Sequence, residues 1–183
     1  MIDLVKADIT SLKVDAIVNA ANSALSGGGG VDGAIHRAAG PDLATACRAM
    51  GRCAIGEAVA TSGFGLAARV VIHAVGPVWD GGTHGEDDLL RRVYERAFAL
   101  ASEHGVRTIA FPAISTGAYR FPAPRAAEIA LRVMRGHEQD FDRIVACVFD
   151  DAALSLYRKT LERLQSQAIF GSYGATAPEQ AQR

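Results

Sequence analysis

Residues 69–75 read Arg69-Val70-Val71-Ile72-His73-Ala74-Val75, apolar at odd and even positions alike apart from Arg69 and His73. A strand with one wet face alternates apolar and polar side chains. A run without that alternation belongs in a sheet covered on both faces, as at the centre of a largely parallel sheet. Thr108-Ile-Ala-Phe111 and Ile144-Val-Ala-Cys-Val-Phe149 share the property. Residues 2–5 and 15–18 add two strands, the first alternating and the second short and apolar. Between these runs the period becomes that of a helix. Leu90, Val93, Ala97, Leu100 and Ala101 recur at helical spacing over residues 86–104, behind Glu86, Asp87 and Asp88 and ahead of Gly105. Acids suit the positive end of the helix dipole, and glycine tolerates the left-handed backbone that ends a helix. A second helix follows Pro124 and ends near Gly136. A third covers residues 152–164, with Leu154, Tyr157, Leu161 and Leu164 on one stripe. Strands alternating with helices define a three-layer α/β/α domain with right-handed crossovers.

The chain has 183 residues, the length of one domain. It is 49% hydrophobic and 21% charged, enough apolar material for a core that needs no staple. A formal net charge of −1 supplies no global field to recruit nucleic acid or anionic lipid. Cys47, Cys53 and Cys147 are odd in number and lack a C-x-x-C pair, which argues against both a disulfide framework and a zinc cluster. The opening MIDLVKADIT has neither a basic n-region nor an apolar h-region, and no apolar run approaches the ~18 residues of a membrane helix. These features predict a soluble, cytoplasmic protein. Residues 166–183 are rich in Gln, Ala, Ser and Gly without apolar periodicity, and read as a flexible C-terminal tail to a domain over residues 1–165.

In open α/β sheets, ligands bind beyond the carboxyl ends of the strands. The loop after the second strand reads Asn19-Ala-Ala-Asn22-Ser-Ala-Leu-Ser-Gly27-Gly28-Gly29-Gly30-Val31-Asp32-Gly33-Ala-Ile-His36. Four successive glycines carry no Cβ, so backbone N–H groups approach an anion closely, and the helix that follows adds positive partial charge. A surface linker is the plainer reading, but linkers do not usually lie between a buried strand and a helix start. Gly28-x-Gly30-x-x-Gly33 also matches the dinucleotide fingerprint formally. That fingerprint needs glycines directly after the strand and an acid ending a second strand ~20 residues on. Here residues 19–26 intervene, and Arg52-Cys-Ala-Ile-Gly-Glu57 is no such strand. The Walker loop is excluded, because none of Lys6, Lys13 and Lys159 follows a glycine.

The loop after the 108–111 strand reads Pro112-Ala-Ile-Ser115-Thr116-Gly117-Ala118-Tyr119-Arg120-Phe121-Pro122. Ser, Thr and Gly here offer hydroxyls and successive N–H groups as an anion nest, beside the flat face of Tyr119. An ordinary turn ahead of a helix opened by Pro124 accounts for the same residues. Two such loops at one sheet edge favour a ligand with two linked phosphates, held by backbone and not transferred.

Three segments carry a resemblance: VNAAN-SAL-SGGGGVDGAIHRAAGP, AFPAISTGAY and the opening ADIT. They resemble the macrodomain family, and within it the MacroD-type ADP-ribose hydrolases, over residues 1–164. The resemblance implies a three-layer α/β/α macrodomain with a mixed, largely parallel central sheet. It implies that Asp8 accepts a hydrogen bond from the adenine amino group, with the backbone of Ile9 beside it and Phe149 against the base. Gly30 and Val31, with Ser115, Thr116, Gly117 and Ala118, would hold the diphosphate. Asn22 would bond the terminal ribose, Tyr119 would pack on it, and Asp32 matches the family's catalytic acid, with Asn22 at its side. No cofactor is implied.

The reaction class needs a water aimed at an ester of the terminal ribose and a group to take its proton. Asp32 directly follows the glycine loop, which carries a carboxylate to the ligand's edge. An N-cap is the structural alternative for this residue. His36, four residues on, shares its helix face and either orients Asp32 or is a hydrogen-bonded structural histidine. Asp32 with His36 would be half a metal site, and no third ligand stands at a suitable spacing, so no metal is expected. His73, inside an apolar strand, reads as buried and hydrogen-bonded. One departure stands out: relatives commonly carry a glycine and a tyrosine where this chain has Arg120 and Phe121. That places a cation beside the second loop and bears on substrate preference. The expectation is hydrolysis of O-acetyl-ADP-ribose and of mono-ADP-ribose esters on Asp or Glu of modified proteins. A non-catalytic ADP-ribose reader and a nucleotide oxidoreductase are the rivals. Asn22 with Asp32 opposes the first, and the misplaced glycines oppose the second.

Overall fold

A computed structural model describes residues 1–173 of the chain. Six strands form one sheet: β1 (Ile2–Lys6), β2 (Ala16–Ala20), β3 (Ala58–Ser62), β4 (Val70–Ala74), β5 (Thr108–Phe111) and β6 (Arg143–Val148). Their spatial order is β1-β6-β5-β2-β4-β3, with every neighbouring pair parallel except β3 against β4. The sheet is thus mixed and largely parallel. The chain adds α1 (Gly30–Ala39), α2 (Pro41–Met50), α3 (Glu86–Glu103), α4 (Ala123–Gly136) and α5 (Asp151–Tyr173).

The apolar runs that lack alternation are covered on both faces, as their pattern requires. Ala16, Val18, Val70, Ile72, Ile109, Phe111, Ile144 and Ala146 point into one core with Leu90, Phe98, Leu131 and Tyr157 of α3, α4 and α5. Ile17, Val71, Ala110, Val145 and Cys147, one residue out of step, point into a second core with Ile35, Leu43 and Cys47 of α1 and α2. Successive strand residues face opposite ways, so parity alone sorts them between the layers. Asn19 shares the parity of Ile17, and His73 that of Val71, so both face the α1–α2 layer.

Several elements differ from the sequence expectation. β2 runs on to Ala20, which places Asn19 inside the strand and not in the loop. β6 ends at Val148, which leaves Phe149 outside it. Two elements carry little sequence signal. In α2 only Leu43 and Cys47 are buried. β3 is a short antiparallel edge of small residues, Ala-Val-Ala-Thr-Ser. The C-terminal helix continues through Tyr173, beyond the expected end at residue 164 and into the stretch read as tail. Gln165 and Gln167 there are good helix formers. The rest of that stretch, residues 174–183, lies outside the described residues. No helix among the described residues is long and apolar enough to cross a membrane.

The connection from β4 to α3 is shaped by one carboxylate. Glu86 opens α3, is buried, and accepts hydrogen bonds from the backbone N–H of Asp80 (3.0 Å), Gly82 (2.9 Å) and His84 (2.7 Å). Burial pushes its carboxyl up, but these N–H groups and its own outweigh burial and hold it down at about 2. The folded value lies below the ordinary 4.5, so the stabilisation is present above that pH and is lost as pH falls towards 2. Glu86→Gln is therefore expected to lower the melting temperature by several degrees at pH 7, with the gap to the parent protein narrowing at pH 3. Paired thermal melts at the two pH values check this.

Candidate functional site

β2 and β5 lie side by side, yet the chain leaves them towards opposite faces: β2 leads to α1 in one layer, β5 to α4 in the other. Where neighbouring strands diverge in this way, a crevice opens at their carboxyl ends. A cavity of about 590 Å³ lies there, within the usual size of a small-molecule site. Gly29, Gly30 and Val31 wall one side and residues 115–119 the other. Val148, Phe149, Asp150 and Ala153 close the β6 end.

The first wall is built by Asn22. Its amide donates to the carbonyl of Gly27 (3.0 Å) and its Oδ1 accepts from the N–H of Ser26 (3.3 Å), closing residues 22–27 into a tight loop. Gly29 precedes α1 in extended backbone with no side-chain cap, and Gly30 enters the helix at φ +57°. The first helical bond runs from the N–H of Gly33 to the carbonyl of Gly29 (3.3 Å). The N–H groups of Gly30, Val31 and Asp32 therefore have no partner within the helix, and the positive end of its dipole lies beside the cavity. Gly33 must be glycine, since a Cβ there would overlap the carbonyl oxygen of Gly28.

The second wall is a tight turn. Ser115 takes φ +67°, Arg120 donates its N–H to the carbonyl of Gly117 (2.9 Å), and Phe121 donates to that of Ser115 (2.9 Å). Tyr119 accepts from the N–H of Trp79 (2.8 Å), which ties the turn to the loop after β4. The Ser115 hydroxyl is buried without a partner among the described residues and lies against Gly76, where a Cβ would overlap it. Arg120 is exposed at φ +56°, a left-handed backbone that costs a side-chain-bearing residue roughly 1–2 kcal/mol. Phe149 is 67% exposed at the far end of the cavity.

Asp32 stands behind the first wall, 6% exposed, and does not line the cavity. It is the third residue of α1 and makes no cap, because Gly29 holds that position. The N-cap alternative therefore falls. Its Oδ1 accepts from the Asn19 amide at 2.7 Å and lies 3.4 Å from His36 Nε2. Its Oδ2 faces the glycine loop, 3.3 Å from where a Gly28 Cβ would stand. Burial pushes the Asp32 carboxyl up; the Asn19 hydrogen bond and the His36 charge pull it down without overcoming burial. Asn22 also lies outside the cavity lining, as do Asp8 and Ile9. Asp8 accepts from the N–H (2.9 Å) and the hydroxyl (2.7 Å) of Thr10, capping a 3₁₀ turn over Ile9–Ser11 in which Ile9 is buried. Gly30, Val31, Ser115, Thr116, Gly117, Ala118, Tyr119 and Phe149 are thus brought to one cavity; Asp8, Ile9, Asn22 and Asp32 do not line it.

Residues that the sequence did not assign to the site also lie at or behind it, among them His73, which is buried and hydrogen-bonded as its strand position predicted. Cys147 lines the cavity floor, its thiol pushed up to about 11 by burial and donating to the carbonyl of Ala7 (3.3 Å). Asn19 and His73 form a buried polar pair behind Asp32, and their shared inward parity on apolar strands was the available signal. No group of three or more His, Cys, Asp or Glu among the described residues is placed to hold a metal ion.

Residues 18–130 match the Macro domain family. The chain belongs to that family. A macro domain-containing protein of Chlorobaculum tepidum is 56% identical over 164 residues, covering 88% of this chain and 95% of the relative. A protein of Escherichia fergusonii named O-acetyl-ADP-ribose deacetylase is 50% identical, covering 87% and 94%. The Oceanobacillus iheyensis macrodomain solved with ADP superposes with a TM-score of 0.85 at 40% identity, covering 90% of this chain and 91% of that chain. Solved variants of that protein replace an asparagine, a glycine seven residues later and an aspartate three residues after that. The same spacing separates Asn22, Gly29 and Asp32 here.

The raised Asp32 pKa carries a stability consequence. Its folded value lies above the unfolded one, so the protonated form is favoured in the fold and stability falls as pH rises through the raised value. Asp32→Asn keeps an acceptor for Asn19 and removes the buried charge. Its melting temperature is expected to exceed the parent's by a few degrees at pH 7, with the gain shrinking as pH is lowered towards 4. Melts of both proteins across that range measure it.

Proposed function

We propose that this macro domain, over residues 1–165, binds ADP-ribose and hydrolyses esters of its terminal ribose, with O-acetyl-ADP-ribose and mono-ADP-ribosylated Asp or Glu side chains as substrates. The observation that carries the reading is Asp32: a buried acid beneath the glycine loop, one oxygen held from behind and the other facing that loop. The name of the Escherichia fergusonii relative and the matching Asn, Gly and Asp spacing support it. Two linked phosphates sit against the N–H groups of α1 and of the turn at residues 115–119. Adenosine extends towards Phe149 and Asp8, the terminal ribose towards Asn22 and Tyr119. The three free thiols suit a reducing cytoplasm. Exposed Arg120 meets the acyl group or modified protein and tunes preference between them.

Ionised Asp32 takes a proton from water as its oxygen attacks the ester carbonyl carbon. The tetrahedral intermediate collapses, the ribose oxygen leaves and regains the proton, and free ADP-ribose and a carboxylic acid result. Burial that raises the Asp32 pKa makes the ionised carboxylate a stronger base. That Asp32 does not line the cavity favours a second reading, a binding module in which this acid is structural.

Turnover of O-acetyl-ADP-ribose by purified protein without added metal separates the two. We expect turnover, and an ADP-ribose Kd of about 1 μM by calorimetry. In Asp32→Ala, kcat is expected to fall by about 10²–10⁴-fold, the range of general-base contributions, with Kd within about threefold. Tight binding without turnover in the parent protein selects the reader; no binding sinks both.

Asp8→Ala is expected to weaken ADP-ribose by about 1.5–3 kcal/mol, the usual worth of a hydrogen bond to a charged acceptor. An analogue lacking the adenine amino group should lose less. Because Asp8 also caps the turn at Thr10, equal losses for both ligands would assign it to the turn alone.

A further inference from the structure

We propose that His73 is a positioning residue for the hydrolysis: held by Thr61, it orients the Asn19 amide, and Asn19 in turn fixes which Asp32 oxygen faces the glycine loop. This role holds only if Asp32 is the base, as proposed above. The four residues come from four elements. Asn19 of β2 pairs in register with His73 of β4, and Thr61 reaches His73 from the edge strand β3. Asp32 comes down from α1.

In this proposal each hydrogen bond has a direction. The Thr61 hydroxyl donates to the carbonyl of Ser62 (3.2 Å), so its oxygen is left to accept. On that basis His73 Nε2, 2.9 Å from that oxygen and 3.7 Å from the Cys47 sulfur, is assigned the ring proton. His73 Nδ1 is then the acceptor, and it lies 3.2 Å from the Asn19 amide nitrogen. That nitrogen has two hydrogens, one for His73 and one for Asp32 Oδ1 at 2.7 Å. The Asn19 carbonyl oxygen is buried without a partner among the described residues, so nothing there on its oxygen side sets the orientation of the amide. The two acceptors on its nitrogen side do. Turned over, the amide would set its oxygen against the Asp32 carboxylate, like against like.

The ring must be neutral for this, since a second N–H at Nδ1 would confront the Asn19 donor. Burial, aided by the His36 charge, depresses the His73 pKa to about 4, so the acceptor persists at neutral pH. The titratable groups facing this ring are Asp32 and His36 from α1 and Cys47 from α2, whose sulfur lies 3.7 Å from Nε2. β2 and β3 present only the uncharged Asn19 and Thr61.

His73→Leu fills the space without an acceptor; His73→Asn sets an amide oxygen near the place of Nδ1. We expect His73→Leu to lower kcat for O-acetyl-ADP-ribose about 10–100-fold, the scale usual for partners that orient a reacting group. ADP-ribose Kd should stay within about threefold. The acid limb of its rate profile should move to higher pH, because Asp32 loses an oriented donor. His73→Asn should recover most of the rate. In the Asp32→Ala background, His73→Leu should cost nothing further. Unchanged kcat in His73→Leu, or equal damage from Leu and Asn, would overturn the role. Nitrogen-15 spectra of the imidazole give a readout independent of turnover: a proton on Nε2 is expected, and one on Nδ1 would refute the hydrogen-bond chain. Full activity of Asp32→Ala would instead refute Asp32 as base, and His73 with it, whatever the spectra show.

Discussion

Neighbouring strands β2 and β5 leave the sheet towards opposite faces, and the rest of the site depends on that divergence. Had both connections turned to one side, the helix after one strand would cover the carboxyl end of the other. Because they part, the start of α1 and the turn before α4 face each other across a gap. Each brings some backbone N–H groups that have no backbone partner among the described residues. A parallel arrangement makes this possible at neighbouring strands, since both carboxyl ends then lie at the same edge. The antiparallel β3 sits at the far side of the sheet, where it disturbs nothing at that edge and supplies Thr61 from behind.

The polar group behind the first wall runs against the economy of the core. Asn19, Asp32 and His73 are nearly or fully buried, in a layer otherwise made of Ile17, Ile35, Leu43 and Val71. Apolar residues of similar volume at these positions would avoid an unpartnered carbonyl and a desolvated carboxylate. The arrangement costs stability relative to such a core, a cost that a carboxylate with work to do at the cavity's edge would account for. Its two oxygens are treated differently: one is engaged from the interior, the other is turned to the loop. A purely structural acid in a buried setting would be expected to have both oxygens satisfied from within the protein.

How much of this was legible in the sequence follows from what kind of signal each part leaves. The buried strands declared themselves because a sheet covered on both faces imposes apolar residues at consecutive positions, as at Val70, Val71 and Ile72. The glycine loop was legible as a run of residues without Cβ after a buried strand; within the protein itself the tight approach falls at Gly33 of α1, against the carbonyl of Gly28. The helix α2 and the edge strand β3 were not, since two buried residues in one and short small side chains in the other leave no period to read. The placement of Asn19 within β2 was missed for a related reason: a buried amide breaks an apolar run, and only its partners explain it. Those partners lie 13 and 54 residues away, at distances no local pattern encodes. The proposed roles of Asp8, Asn22 and Asp32 came from family likeness, because residues that do not line the cavity leave no local mark of their function.

In the proposed function, recognition and chemistry fall to different parts of the chain, and this has a consequence for how the site can vary. Anion binding by main-chain N–H groups survives most side-chain substitutions, because the donors belong to every residue but proline. It is vulnerable at positions where backbone approach is tight, such as Gly33 and Gly76, and there a single methyl group suffices to displace a wall. The proposed chemistry, by contrast, rests on a few buried side chains that make neither wall. A chain of this fold could therefore lose Asp32 and still bind, whereas losing Gly76 would compromise binding and reaction together. Arg120 fits the same division. It sits in a backbone conformation suited to glycine, between hydrogen bonds that hold the turn regardless of its side chain, so the long cation can change without unmaking the wall beneath it.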